Sequence, residues 1–417
     1  MSASNDRAPR AIPACALILL SAGAIQEVDP SSVFWTAPSI LVAAMLIAWA
    51  AESAQFFIAQ GFALAILAWL QTLPEFAVEA VLAWKQQVPL LMANLTGALR
   101  LLTGLGWPMI YFTAAMFHRS RWKSPLRRIT LAEEHCIEVV GLLAAMAYVG
   151  FVWWKSSLDV VDAVILIAVY IAYLVVLQRM PTTEAEQIED LELIPRTIVT
   201  ARPALRTAMI VLLFLFGGGL IYFMAEPFLA SLLAVSASLG IPNFVFVQWV
   251  APFVSEFPEK VSAFYWARTV ERASMALMNM VSSNINQWTL LAAMLPIVFS
   301  LSRGAVTAIP LDSQQELELL MTLGQSLLGV MFLMDMELAW WEAAGLFGLW
   351  VVQFAFSPVP PGAGIAGFLA QHIHAWVTIA YWVWAGLEIG RIAAGKRRPK
   401  AFQLFGVMWK RHIRPVR

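Results

Sequence analysis

The sequence predicts an all-α polytopic membrane protein: a ten-helix core of two inverted five-helix repeats, plus one flanking helix at each end, about twelve spans in all. Three observations predict it. Hydrophobic residues make up 60% of the 417 positions and charged residues only 13%, with a mean hydropathy of +0.72. Successive apolar runs are long enough to cross a hydrocarbon layer of ~30 Å as helices of ~20 residues. A proline followed directly by a glutamate sits inside an apolar stretch twice, once in each half: Pro74-Glu75 and Pro258-Glu259. The spans must be helical because lipid gives free backbone groups no partner, and the 18 tryptophans suit a chain with many membrane–water boundaries.

In chain order the expected spans are 11–27, 37–57, 59–85, 88–116, 133–154, 158–178, 207–226, 229–264, 273–301, 316–334, 338–356 and 368–391. Arg7 and Arg10 before the first apolar run also fit a cleaved signal peptide; a retained helix gives an even count of connections. The domains that follow are a tail and extra helix over 1–36, a first repeat over 37–178, a linker over 179–206, a second repeat over 207–357, an extra helix over 358–391 and a basic tail over 392–417.

Charge placement orients the spans. Arg7 and Arg10, the stretch from His118 to Arg128, and the tail with Arg391, Lys396, Arg397, Arg398, Lys400, Lys410, Arg411, Arg414 and Arg417 fall on one side if both termini are cytoplasmic. Cytoplasmic loops favour Lys and Arg in this way. The loops near 154–158, 302–315 and 357–367 carry few positive charges and fall on the other side. The linker, with Glu184, Glu186, Glu189, Asp190 and Glu192 and then Arg196, Arg202 and Arg206, reads as a solvated segment and lacks the spacing of a Ca2+ loop. Five core spans on either side of it make the second half inverted relative to the first. A prokaryotic plasma membrane is the expected location. Net charge is zero, so no basic field for nucleic acid is implied; the partners expected are the lipid bilayer and inorganic cations, with the oligomeric state left open. Cys15 and Cys136 form no disulfide or metal pattern.

The Pro-Glu pairs carry the chemistry. A charge inside hydrocarbon costs at least a few kcal/mol, which makes an intramembrane glutamate a functional residue by default. Proline removes a helical hydrogen bond and clashes with the preceding turn. Carbonyls near Leu70, Gln71 and Thr72 thereby lose helical partners beside Glu75, and a carboxylate among carbonyls is the hard-oxygen set that Ca2+ prefers. Ser255 and Glu256 occupy the matching stretch before Glu259. Asn94 follows Glu75 by 94 − 75 = 19 residues and Asn279 follows Glu259 by 279 − 259 = 20, so each kink gains an amide from the next helix. Thr96-Gly97-Ala98 and Ser282-Ser283-Asn284 lie beyond them, small enough for close helix packing.

These residues resemble the cation/calcium exchanger superfamily, the sodium/calcium exchanger-like membrane proteins. Their two repeats carry a Gly-Thr-Ser-Leu-Pro-Glu-like motif followed by Gly-Asn-x-x-Gly-Ser-Asn. Here the first repeat reads Leu70-Gln71-Thr72-Leu73-Pro74-Glu75 and then Ala93-Asn94-Leu95-Thr96-Gly97-Ala98-Leu99. The second reads Val254-Ser255-Glu256-Phe257-Pro258-Glu259 and then Met278-Asn279-Met280-Val281-Ser282-Ser283-Asn284. The resemblance implies a secondary antiporter, not an enzyme, that moves Ca2+ or a similar cation against Na+ or H+ by alternating access. It implies no cofactor. The cation site it implies comprises Glu75, Glu259, Thr72, Ser255, Asn94, Asn279, Glu256 and Asn284, with Glu75 and Glu259 as metal ligands. Departures from the motif are Gln71, Ala98, Leu99, Glu256 and Phe257; they remove neutral oxygens and add a carboxylate.

Other readings stand beside these. Lys260 pairs with Glu256 at the i, i+4 spacing, and Arg100 is placed to reach Glu75 or Glu79, so ion pairs that close the site would give a non-transporting scaffold or sensor. Glu79, one turn after Glu75, suits a gate or proton relay. Asn94 and Asn279 equally suit interhelical hydrogen bonds, and Thr72 and Ser255 suit bonds to their own helix. Glu52 and Gln60 read as interfacial, His372 and His374 as a solvated pair, and Asp335, Glu337 and Glu342 as facing water. No phosphate loop, Ser–His–Asp order or H-E-x-x-H helix occurs.

Overall fold

A computed structural model of the chain describes residues 28–57, 63–180, 188, 191–359, 362 and 364–413. The expected span over 11–27, Cys15, Gln60 and the linker acids Glu184, Glu186, Glu189 and Asp190 lie outside the described residues. The first half contains α1 (Val33–Ala54), then α2 (Ala63–Gln71) and α3 (Leu73–Trp84), two limbs of one helix broken at Thr72. Next come α4 (Val88–Leu101) and α5 (Trp107–Trp122), joined through a wide turn at Leu102–Gly106 into one continuous helix. Strand β1 (Arg128–Thr130), α6 (Cys136–Trp154), β2 (Ser157–Leu158) and α7 (Val160–Leu177) complete it. A short amphipathic helix, α8 (Leu193–Thr200), leads into the second half.

The second half repeats the order. It has α9 (Pro203–Leu239), the broken pair α10 (Asn243–Ser255) and α11 (Phe257–Arg268), and α12 (Ala273–Asn286) joined through a wide turn at Gln287–Leu291 to α13 (Ala292–Arg303). Strand β3 (Ile309–Pro310), α14 (Ser313–Leu333), β4 (Glu337–Ala339) and α15 (Trp340–Phe356) follow. Helices α16 (Ile365–Ala393) and α17 (Lys400–Met408) come next, and a wide turn at Trp409–Ile413 ends the described chain. Both breaks and both wide turns recur at matching places. Wide turns of this kind concentrate at functional sites.

The strand pairings make the inversion visible. In the first half β1 precedes α6 and β2 follows it; in the second, β3 precedes α14 and β4 follows it. Yet β1 pairs with β4 and β2 with β3, both antiparallel. Equivalent connections therefore lie at opposite ends of the bundle, which requires one repeat to be upside down relative to the other.

Seven of the described helical stretches are long and apolar enough to cross a membrane: Pro30–Phe57, Val88–Trp122, Glu133–Trp154, Val160–Leu177, Pro203–Leu239, Ala273–Arg303 and Ser313–Leu333. The broken helices miss that length because each limb stops at its kink. Two boundaries differ from the sequence expectation. The split expected between 226 and 229 is absent, since α9 runs through Pro227 and ends at Gly240 in the left-handed region, φ +67°. Its Glu226 is anchored by Lys85 at 2.5 Å. The fourth expected span also continues past 116 to Trp122, carrying His118–Trp122 of the basic stretch as helix.

The small residues of α4 do allow close approach. A Cβ built on Gly97 would stand 1.9 Å from the Gln248 carbonyl oxygen of α10. Asp159 and Asp312 cap α7 and α14 with reciprocal side-chain bonds to Asp162 and Gln315, satisfying amide groups that a helix start leaves open.

Candidate functional site: two broken helices and a bridging amide

Each kink follows from its proline. At the first, the Glu75 N–H donates to Thr72 O at 3.1 Å instead of continuing the helical ladder to Gln71; at the second, Glu256 takes a non-helical φ/ψ of −93°/4°. Pro74 and Pro258 sit in the first turn of the limb that follows, where a missing N–H costs nothing. Glu75 and Glu259 thus occupy the first turns of α3 and α11, where the helix dipole favours negative charge. Both are buried, as are Glu79 and Glu256.

One amide joins the two halves. Gln287, the first residue of the wide turn after α12, donates through Nε2 to Glu75 Oε2 at 2.7 Å and to Glu256 Oε1 at 2.8 Å. Ser283 donates to Glu259 Oε1. Asn286 Nδ2 reaches Thr72 Oγ1 at 2.5 Å, and Thr72 in turn donates to Trp69 O at 2.8 Å. Asn94 Nδ2 donates to Glu79 Oε1 at 3.1 Å, and Asn279 Nδ2 donates to Gln71 Oε1 at 3.3 Å. Gln71 continues to Ser262 at 3.5 Å, and Ser262 donates to Glu52. Glu52 is therefore buried inside the network, not interfacial as its sequence position suggests.

What remains is a surplus of acceptors. Glu75 Oε1, Glu79 Oε2, Glu259 Oε2, Asn94 Oδ1, Asn279 Oδ1, Asn286 Oδ1 and Gln287 Oε1 are buried with no hydrogen-bond partner among the described residues. A buried oxygen without a donor loses about 1–3 kcal/mol, more when charged. A cation is the ligand that answers such a set. Among the described residues no three His, Cys, Asp or Glu side chains converge as a metal cluster, so any ion held here relies on carboxylate and amide oxygens together.

Some expected residues lie elsewhere. Ser255 bonds back to Ala251 O at 3.1 Å. Asn284 faces the first half of the chain, donating to Leu99 O at 3.4 Å and accepting from Thr103 Oγ1 at 3.5 Å. Arg100 does not reach Glu75 or Glu79: it pairs with Glu318 at 2.6 Å, because its side chain leaves α4 towards α14. Glu318 also takes His374 at 2.5 Å, so His374 belongs to a buried ionic group instead of a solvated pair. Lys260 does hold Glu256, at 2.6 Å. Glu342 is buried and paired with Arg397 at 2.6 Å, a tail residue that also meets Asp335 and Glu388. Glu337, expected to face water, is half-buried and paired with Arg128 at 2.7 Å.

Sequence reasoning missed Gln287, Asn286, Ser283 and Glu52 as members of the network. The available signal was the polar run Ser282-Ser283-Asn284-Ile285-Asn286-Gln287 inside an apolar span.

Inverted repeats whose broken helices bring buried carboxylates together define a cation-exchanging secondary transporter of the membrane. The profile of the family described as sodium/calcium exchanger protein matches residues 32–178 and 209–358. The chain belongs to that family. A crystal structure of the H+/Ca2+ exchanger CAX is 30% identical, with a TM-score of 0.80 over 95% of this chain and 94% of that one. The sodium-calcium exchanger NCX_Mj is 18% identical, with a TM-score of 0.51 over 78% of this chain and 98% of its own. Native YfkE is 14% identical, with a TM-score of 0.51 over 84% and 91%. The last two share the fold. A comparison with curated proteins gave no match.

Proposed function

We propose that the protein exchanges Ca2+ or a similar divalent cation for protons by alternating access, with Glu75 and Glu259 as the principal ligands. The observation that carries this is the pair of donor-free buried oxygens, Glu75 Oε1 and Glu259 Oε2, one at each kink. Four carboxylates, Glu75, Glu79, Glu256 and Glu259, are buried, and one ammonium, that of Lys260, is paired with them through Glu256. Fully ionised they would leave three uncompensated negative charges in a low-dielectric interior. A divalent ion or protons remove that excess in turn, so neither loaded form stands bare in lipid. The likeness to an H+/Ca2+ exchanger supports the proton over Na+ as counter-ion.

In liposomes with an imposed pH gradient, the purified protein is expected to accumulate radiolabelled Ca2+, and Glu75→Gln and Glu259→Gln each abolish accumulation. Uptake untouched by both substitutions refutes the site, and uptake driven by a Na+ gradient alone replaces the proton with Na+.

A second reading, a non-transporting scaffold with a closed site, draws on the Lys260–Glu256 pair. It predicts no Ca2+ binding by calorimetry at any concentration up to millimolar.

A further inference from the structure

We propose that Lys260 is a tethered cation that shares the Glu256 carboxylate with the transported ion and thereby sets the affinity of the site for divalent cations. This rests on the antiport reading and deepens it at the same site. Lys260 Nζ lies 2.6 Å from Glu256 Oε2, and both side chains are buried. The other Glu256 oxygen accepts from Gln287, whose same Nε2 reaches Glu75. The ammonium is thus three hydrogen-bonded links, through Glu256 and Gln287, from Glu75 at the first kink.

The pair is present on one side only. Matching Glu75 with Glu259 places Thr72 opposite Glu256 and Phe76 opposite Lys260, so the first repeat has neither the extra carboxylate nor the extra ammonium. The bonded partners of the other three acids are neutral: Gln287 for Glu75, Asn94 for Glu79 and Ser283 for Glu259. Lys260 is therefore the built-in counter-charge of a site that otherwise waits for an external one. Its stem is flexible and its ammonium is a point charge, so it can leave Glu256 while the backbone stays in place. A divalent ion bound between Glu75 and Glu259 gains the Glu256 oxygen only when that happens. While Lys260 remains, it repels a doubly charged guest at close range.

The test compares wild type, Lys260→Met, Lys260→Arg, Glu256→Gln and the Glu256→Gln/Lys260→Met double variant. Half-saturating Ca2+ is measured in liposome uptake, and Ca2+ binding to the full chain in detergent by calorimetry. Lys260→Met is expected to lower the half-saturating Ca2+ roughly ten-fold, the scale of coupling between close charges. Lys260→Arg, whose planar fork grips a carboxylate through two bonds, is expected not to lower the half-saturating Ca2+, and the double variant is expected to lie between Lys260→Met and Glu256→Gln. An unchanged or weaker affinity in folded Lys260→Met overturns the proposal. Should Lys260→Met not fold, the double variant carries no unpaired charge and decides the matter: affinity equal to Glu256→Gln overturns the proposal, tighter affinity supports it. A wild type that neither binds nor moves Ca2+ overturns the antiport reading and this one together. A transporting wild type whose affinity is indifferent to Lys260 overturns this one alone.

Discussion

Arg100 and Glu318 meet 2.6 Å apart with both side chains sealed from solvent, one from α4 and one from α14. Arg100 also donates Nε to Thr96 O at 3.0 Å, and Glu318 accepts from Gln248 at 2.9 Å. Three helices and, through His374, α16 are tied by one ion pair that stands apart from the kinks.

Removing one partner of such a pair leaves the other charged and buried, at a cost of about 3–5 kcal/mol. Arg100→Ala is expected to lower the unfolding midpoint in detergent strongly, while Arg100→Met combined with Glu318→Leu recovers much of the loss. Equal midpoints for wild type and Arg100→Ala would show that the pair adds nothing.

Gln287 holds Glu75 and Glu256 together across the two repeats. A hydrogen bond to a charged group is worth about 1.5–3 kcal/mol, which corresponds to roughly ten-fold to hundred-fold in affinity. Gln287→Leu is expected to weaken Ca2+ affinity, read as half-saturating Ca2+ in liposome uptake, by that factor. Retained affinity would remove Gln287 from the site.

Gly97 lets α4 of the first half pack against the α10 backbone of the second. Because a methyl there would collide with backbone at Gln248, Gly97→Ala is expected to cost about 1–3 kcal/mol, the usual scale of overpacking. Gly219→Ala in α9, where a Cβ meets nothing within 4 Å, serves as the control and is expected to leave stability unreduced, since alanine suits a helix interior better than glycine. Thermal unfolding of the two variants side by side checks this.

Asp335 lies in the turn between α14 and β4. Burial raises its carboxyl above the ordinary value of 3.8, against the pull of Arg397. The folded chain therefore holds this proton more tightly than the unfolded chain does. Its contribution to stability is complete below the ordinary value and is lost as pH rises through the folded-state value. Asp335→Asn stays neutral throughout, so its midpoint is expected to gain on wild type as pH climbs from about 4 to neutrality. A gap that shrinks over that interval contradicts the assignment.

The kinks and the inverted order were legible because they have one-dimensional signals. Proline cannot continue the ladder wherever it falls, so Thr72 and Glu256 could be placed as breaks from sequence alone. The parity of the spans carried the inversion. Side-chain direction has no such signal. Arg100 and Glu79 sit on neighbouring helices, yet the guanidinium points to Glu318, which lies 318 − 100 = 218 residues away. Glu52 reads as interfacial and Glu342 as facing water because they fall near segment ends, and only the packing of Ser262 and Arg397 against them reveals their burial. The split expected between 226 and 229 fails for a related reason: packing carries α9 on through Pro227, and Gly240 ends it.

The ribbon pairs bear on biogenesis. Ile129 of β1 finds its backbone mate at Leu338, and Leu158 of β2 finds its mate at Ile309. When the ribosome has finished the first half, both of these edges are still unpaired. They close only after most of the remaining chain has been made. The two halves, though alike, are not self-sufficient modules; each completes the other, and a truncated product ending near residue 180 is left with raw seams at both ends of the bundle.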